Sequence, residues 1–266
     1  MHPTTTGKTS HVAESAPLNA LFSKINWRII PLLLIAYMVA YLDRINIGYA
    51  QLQMKQTLPF SDAVYGLGAG IFFIGYFLFE VPSNLLLEKI GARKTLLRIM
   101  VLWGAAATAM MFVSTPTQFY VVRFLLGAFE AGFFPGVILY FTYWYPSVRR
   151  GQVIAIFMSA TTIVSVIAGP LCGSILKYFD GIAGLHGWQW LFLVQGIPAI
   201  LLGFLVYVLL QDKPSQAAWL TKEEKALHAD RMSHDVKDVQ GEPAGSFAQC
   251  LRDPKVYILS LVYFLL

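Results

Sequence analysis

Charge is what this sequence has least of: 13% of its 266 residues are Asp, Glu, Lys or Arg, against the quarter or so usual in soluble domains. With 56% hydrophobic residues, that scarcity excludes an ordinary soluble chain and points to a membrane protein. Cysteine is scarce as well. Of the two present, Cys172 falls in an apolar run and Cys250 in a polar segment, which excludes a disulfide framework and a cysteine zinc site. The five histidines, His186 among them, have no partner at metal-ligand spacing. No H-E-x-x-H, G-x-S-x-G or Walker pattern occurs, so an enzyme has little support. No metal or cofactor is expected. No small-residue cleavage site follows the first apolar run at signal-peptide distance, so that run is expected to remain in the protein.

What the sequence does contain is apolar runs long enough to cross a hydrocarbon core, which takes about 20 helical residues. Six can be read: Ile29 to Tyr49, Ala63 to Leu87, Leu96 to Val113, Phe119 to Tyr143, Val153 to Tyr178 and Leu191 to Leu210. A seventh starts at Val256 and stops at Leu266, so the chain is expected to be the first half of a longer one. The domain reading is a leader over 1–26, a six-helix bundle over 27–210, a linker with a short helix over 211–254 and the start of a seventh span over 255–266. In the linker, Thr221 stands three residues before Glu224, the spacing of a capping box. HDVKDVQGEPAGS after it has no apolar periodicity and is expected to be a loop.

Net charge is +5, and its distribution identifies topology rather than a nucleic-acid footprint. Sixteen of the twenty Lys and Arg lie in the N-terminus and the second-to-third, fourth-to-fifth and sixth-to-seventh connections; two, Lys55 and Lys177, lie on the other side, and two, Arg44 and Arg123, inside spans. The positive-inside rule therefore places the N-terminus and the linker in the cytoplasm of a plasma-membrane protein. Trp27, Trp144 and the Trp188/Trp190 pair are expected in aromatic belts. Six spans and a long basic loop match an all-α transporter half built as a 3+3 inverted repeat.

Ionised groups inside the spans carry the functional reading. The first span holds Asp43 and Arg44 side by side, about 100° apart on a helix. The fourth holds Arg123 and Glu130, seven residues and close to two turns apart on one face. At about 1.5 Å per residue, Asp43 and Arg123 come to one depth and Glu130 to the midplane. Asp43 is expected to pair with Arg123, and Arg44 with Glu130 or a bound anion. Each unpaired charge at the bilayer centre costs roughly 2.5–3.5 kcal/mol, so four such groups have to pair or face water. They are read as the lining of a polar cavity. Glu80 shares a helix face with Tyr76 and Asn84; it either gates the inner end of that cavity or pairs with a basic residue of the following loop. The glycines from Gly66 to Gly70, Gly132 and Gly136, and Gly169 and Gly173 around Pro170 are read as helix-packing positions.

YLDRINIGYA, FFIGYFLFEVPSNLLLEKIGARK, RFLLGAFEAGFFPGVILYFTYWYP and GWQWLFLVQGIPAILLG followed by WLTKEEK together resemble the anion:cation symporter family of the major facilitator superfamily, nearest its bacterial tartrate and phthalate permease-like members. The resemblance runs from about Trp27 to the end. It implies the major facilitator fold and alternating-access symport of a small organic anion with protons, the proton gradient being the energy source. It implies that Asp43 and Glu130 carry proton coupling with Arg123 responding to them, and that Arg44, aided by Tyr41 and Tyr76, attracts the substrate carboxylate. LLLEKIGARKTLLR resembles the superfamily's cytoplasmic loop signature, with Asn84 in place of the usual glycine and Glu88 in place of the usual aspartate. Glu88 and Arg93 are the gate residues that it implies. The expected partners are the anion, protons and lipid, with no nucleic acid and a monomeric chain. IAGPLCGS partly resembles the antiporter signature, with Ser165 where a glycine opens it. Exchange, or a non-transporting binding or scaffolding role, remains the alternative.

Overall fold

In a hydrocarbon core no water is available to the peptide groups, so each apolar run has to satisfy its own backbone and does so as a helix. A computed structural model describes residues 7–239 and 254–258, with side chains from 16 to 235 and from 254 to 258. The spans are α1 (Gly7–Thr57), α2 (Asp62–Ile90), α3 (Ala92–Ala109, running on as a 3-10 turn Met110–Phe112), the pair α4 (Pro116–Glu130) and α5 (Phe133–Trp144), α6 (Ser147–Tyr178) and α7 (Gly187–Leu209); α8 (Lys222–Val239) follows in the linker. Six of these helical stretches are long and apolar enough to cross a membrane. The chain is an all-α, multi-pass membrane protein.

Local signals set the ends. Ser61 accepts from the Val64 amide at the start of α2, and Thr115 forms a reciprocal capping box with Gln118 ahead of Pro116 at the start of α4. The expected Thr221–Glu224 box is formed: the Thr221 amide donates to Glu224 Oε2 at 2.8 Å and the Glu224 amide to Thr221 Oγ1 at 3.2 Å. Two boundaries differ from expectation. The leader is already helical from Gly7, and Leu21, Phe22 and Ile25 are buried, because the spacing Leu18, Leu21, Phe22, Ile25 puts four apolar groups on one face. The linker helix is 18 residues long, so residues 234–239 of the expected loop are helical; 240–246 lie outside the described residues, as do Cys250 and all of the expected seventh span beyond 258. The chain divides into two units, Met1–His228 and Ala229–Leu266, and the site lies in the first.

In that unit the broadest contacts join α3 to α7, α2 to α4, and α1 to α6. Exchanging spans one to three with four to six maps the second pair onto the third and the first onto itself, as a 3+3 repeat requires. At the α2–α4 contact a Cβ on Gly127 would stand 2.0 Å from the Phe72 carbonyl oxygen. Gly127→Ala is therefore expected to cost about 1–3 kcal/mol through forced separation of the helices, measured as a lower melting temperature in detergent. Gly75 faces the Phe124 carbonyl on the same contact, whereas Gly66, Gly70 and Gly173 meet nothing within 4 Å and Gly169 only the Tyr49 hydroxyl at 3.7 Å. Close packing does not account for those four.

The fourth span is broken. Gly132 has φ +87° between α4 and α5, and Pro135 explains the break: it has no amide proton and its ring clashes with the carbonyl four residues back, at Ala131. Gly132 suits the gap for a second reason, since a Cβ there would lie 2.5 Å from Ser83. The consequence is local: Glu130 becomes the last residue of α4 instead of a mid-helix side chain.

At the end bearing the N-terminus, the linker up to His228 packs on the bundle. Trp144 and Trp188 are buried rather than belted: at this end Trp144 stacks on Trp219 at 5.7 Å, and at the opposite end of α1 Trp188 donates to Thr57 at 3.1 Å. Trp27 is 79% exposed. Lys24 pairs with Glu224, and Arg28 sits over Trp219. Buried His228 lies beside Phe22 and bonds the Trp144 carbonyl at 3.0 Å; a carbonyl only accepts, so Nε2 carries the proton. Burial pushes the His228 imidazole below its usual value of 6.5. The docked state thus binds fewer protons than the undocked one, and docking is constant above about pH 6.5 and weakens below it. Hydrogen exchange over 217–228, corrected for the intrinsic pH dependence, is expected to speed up below that pH in the wild type and to lose this component in His228→Phe.

Candidate functional site

Arg44 on α1 reaches across to the end of α4, where its Nε meets Glu130 Oε1 at 2.5 Å. Its guanidinium carbon lies 4.8 Å from the Tyr76 ring centre and 6.0 Å from that of Phe72, both on α2. Cation and aromatic face attract, so two elements, α2 and α4, hold the charged head of a third. The two partners are not equally accessible: the Arg44 side chain is 26% exposed and that of Glu130 fully buried. Of the two, Arg44 is the one that solvent reaches. The second carboxylate oxygen of Glu130 has no hydrogen-bond partner.

The other expected pair, Asp43 with Arg123, does not form: among the described residues no ion pair joins them, although both are buried. Competition explains this. Asp43 Oδ2 accepts from Trp103 Nε1 on α3 at 2.8 Å, and Oδ1 from Asn46 Nδ2 at 2.9 Å. With both oxygens bonded, Asp43 needs no guanidinium in contact. Arg123 instead donates from Nε to the Gly68 carbonyl at 3.3 Å and lies 4.8 Å from the Phe72 ring centre, leaving Nη1 buried without a partner. Phe72 thus carries Arg44 and Arg123 alike. From Asn46 the network continues to Gln195 on α7 at 2.5 Å, and Gln195 donates to Cys172 on α6 at 3.7 Å. Asn46 Oδ1 is a further buried orphan.

Three orphans of mixed sign, Glu130 Oε2, Arg123 Nη1 and Asn46 Oδ1, lie on α1 and α4 in a protein interior where such groups are normally paired. Trp103, Phe72 and Gln195 were not among the sequence candidates. Gln195 carried a signal, a lone amide within an apolar run. Trp103 and Phe72 carried none, because aromatic residues are unremarkable in a span.

The remaining candidates sit apart. Tyr41, half-buried, packs in the layer around Phe60 and Trp188. Half-buried Glu80 accepts through its carbonyl from Asn84 at 3.0 Å, and among the described residues its carboxylate has no ion-pair partner, so the pairing with the following loop is not made. Glu88 is exposed. Arg93 bonds the Tyr207 carbonyl through Nε at 2.9 Å and Nη2 at 2.6 Å, while its own amide donates to Asp212 at 2.9 Å. Those bonds clip the N-terminus of α3 to the C-terminus of α7, cation at a carbonyl end and carboxylate at an amide end. Among the described residues no cluster of three His, Cys, Asp or Glu could hold a metal ion.

Residues 33–266 match the Major Facilitator Superfamily. The chain is 49% identical over 98% of its length to a candidate metabolite transport protein, NicT, of Pseudomonas putida, covering 60% of it. It is 48% identical over 91% of its length to a candidate tartrate transporter of Agrobacterium vitis, covering 53% of that protein. It thus spans little more than half the length of these relatives. Among solved structures, the inward-open xylose transporter XylE of E. coli superposes with a TM-score of 0.62 at 17% identity, over 85% of this chain and 58% of that one; at that identity the likeness concerns the fold.

Proposed function

Because the chain belongs to the Major Facilitator Superfamily, whose members are transporters and not enzymes, we propose that it forms one half of a proton-coupled symporter that moves a small organic anion by alternating access. One observation carries this reading: Arg44, partly exposed, is paired with Glu130, which is fully buried with one oxygen unpartnered. A carboxylate arriving at Arg44 competes with Glu130 for the same guanidinium. In a low-dielectric site a carboxylate deprived of its counter-cation is costly, and taking up a proton removes that cost. Anion binding and protonation therefore favour each other, which is the thermodynamic content of symport. Tyr76, whose ring lies against the Arg44 head, supplies a hydroxyl near the anion; Tyr41 packs in the layer around Phe60 and Trp188 and has no part in this reading. Asp43 is a second proton site, its orientation set by Trp103 and Asn46, with Arg123 close enough to answer a change in its charge. Glu80, Glu88 and Arg93 belong to the cytoplasmic gate.

The substrate class follows from a fork-shaped cation suited to a carboxylate, and relatives named for tartrate and for metabolites support it. The basic end of the bundle faces the cytoplasm of the inner membrane, and the protein works as a monomer. Uptake of radiolabelled organic acids into proteoliposomes, with external pH recorded, tests the proposal: uptake should alkalinise the medium and follow an imposed pH gradient. Uptake that requires a counter-substrate inside and leaves the pH unchanged would establish exchange instead. Absence of flux for every acid would leave only a binding or scaffolding role.

A further inference from the structure

Away from this site, α2 and α3 touch each other far less than α2 touches α4 or α3 touches α7, and they leave a crevice floored by α4. Its lining is Phe79, Ser83, Arg98, Leu102, Ala128 and Phe129, around a cavity of about 80 Å³. Arg98 is half-buried there. It donates from Nη2 to the Ser83 hydroxyl at 2.7 Å, and among the described residues no carboxylate stands within ion-pair distance of it. A cation in a span normally has such a partner, because an uncompensated one is costly. Four of the five guanidinium N–H groups have no bond to any described residue.

The surroundings indicate what fills this place. Lys94, Arg98 and Leu102 follow one another at intervals of four on α3, so they form one stripe: an exposed cation at the basic end, the half-buried cation one turn deeper, and an exposed apolar group below it. Phe79, 45% exposed, continues the apolar wall on α2. The order of charge, then charge, then hydrocarbon along the membrane normal is that of a phospholipid anchored by an anionic head. We propose that this crevice binds the phosphate of an anionic phospholipid from the leaflet at the basic end, with Arg98 and Lys94 on the headgroup and Leu102 and Phe79 against the first acyl segments. Basic pockets between spans take anionic headgroups in this manner. The proposal does not depend on the transport mode. It also brings the lipid to the broken span, since Ser83, the partner of Arg98, lies against Gly132.

The test uses the purified protein in detergent, titrated with phosphatidylglycerol, phosphatidylethanolamine or glycerol 3-phosphate, with retained lipid counted by native mass spectrometry and melting temperature followed in parallel. Phosphatidylglycerol should be retained in preference to phosphatidylethanolamine, and Arg98→Gln and Lys94→Gln should each weaken its retention about fivefold, while Arg98→Lys keeps it. Glycerol 3-phosphate should neither bind nor stabilise. Equal retention of the two lipids, or an undiminished preference in Arg98→Gln, overturns the proposal; equal stabilisation by glycerol 3-phosphate would mean a soluble-phosphate site and overturns it too. Should Arg98→Gln fail to fold, the exposed Lys94 decides, and unchanged retention in Lys94→Gln counts against the lipid.

Discussion

Arg44→Ala is expected to weaken binding of the proposed organic anion by more than an order of magnitude. The variant removes the one cation of the site that is both partly open and directed at a second carboxylate, Glu130. Losing one partner of a desolvated, hydrogen-bonded charge pair costs about 2–5 kcal/mol, which at 1.4 kcal/mol per factor of ten is roughly 30-fold to several thousand-fold in affinity. Arg44→Lys should recover only part of the loss, because an ammonium keeps the charge but not the planar fork. The measurement is a thermal-shift or calorimetric titration with the acid that the wild type takes up. Equal affinity of wild type and Arg44→Ala would remove Arg44 from the binding site. Glu130 is left alone in that variant, so melting temperature has to be recorded beside affinity to separate misfolding from lost recognition.

Glu130→Gln should have the opposite profile: binding intact, coupling lost. Glutamine fits the same space at the end of α4 and still accepts from Arg44, but it does not compete as an anion and takes up no proton. Affinity is therefore expected to hold or rise, and substrate exchange between preloaded vesicles to continue. Accumulation is a different matter. One proton per monovalent anion allows at most about tenfold concentration for each pH unit of gradient, the equivalent of 1.36 kcal/mol, and the variant should equilibrate to a ratio near one with no alkalinisation of the medium. If Glu130→Gln still accumulates the anion in response to a pH gradient, the proton travels by another group, of which Asp43 is the first to test.

Much of this architecture could be read before any coordinates. The six spans lie where the apolar runs stand, the capping box at Thr221 and Glu224 is made as spaced, and Arg44 with Glu130 is the pair that helix depth suggested. Depth was insufficient for Asp43. It lies level with Arg123, yet Trp103 and Asn46 occupy its oxygens and the Gly68 carbonyl and Phe72 ring hold the guanidinium. Level is a property of one helix, whereas which neighbour wins an acceptor depends on rotation and lateral distance among several. The break at Gly132 was missed for a related reason. Pro135 in an apolar run is compatible with a kink, a break or a helix start, and the contact with Ser83 on α2 selects among them.

By itself the sequence determined that this is a membrane protein, where six helices of membrane-spanning length lie among the described residues, which end is basic, and that ionised groups of both signs lie on the first and fourth spans. These are sums over neighbouring residues against a slab of hydrocarbon, and such sums need no knowledge of the rest of the fold. Only the tertiary structure decided who bonds whom. The decisive contacts join residues 86, 60 and 149 positions apart, and hydrogen bonds discriminate over fractions of an ångström, a precision that exists only once all the helices have packed.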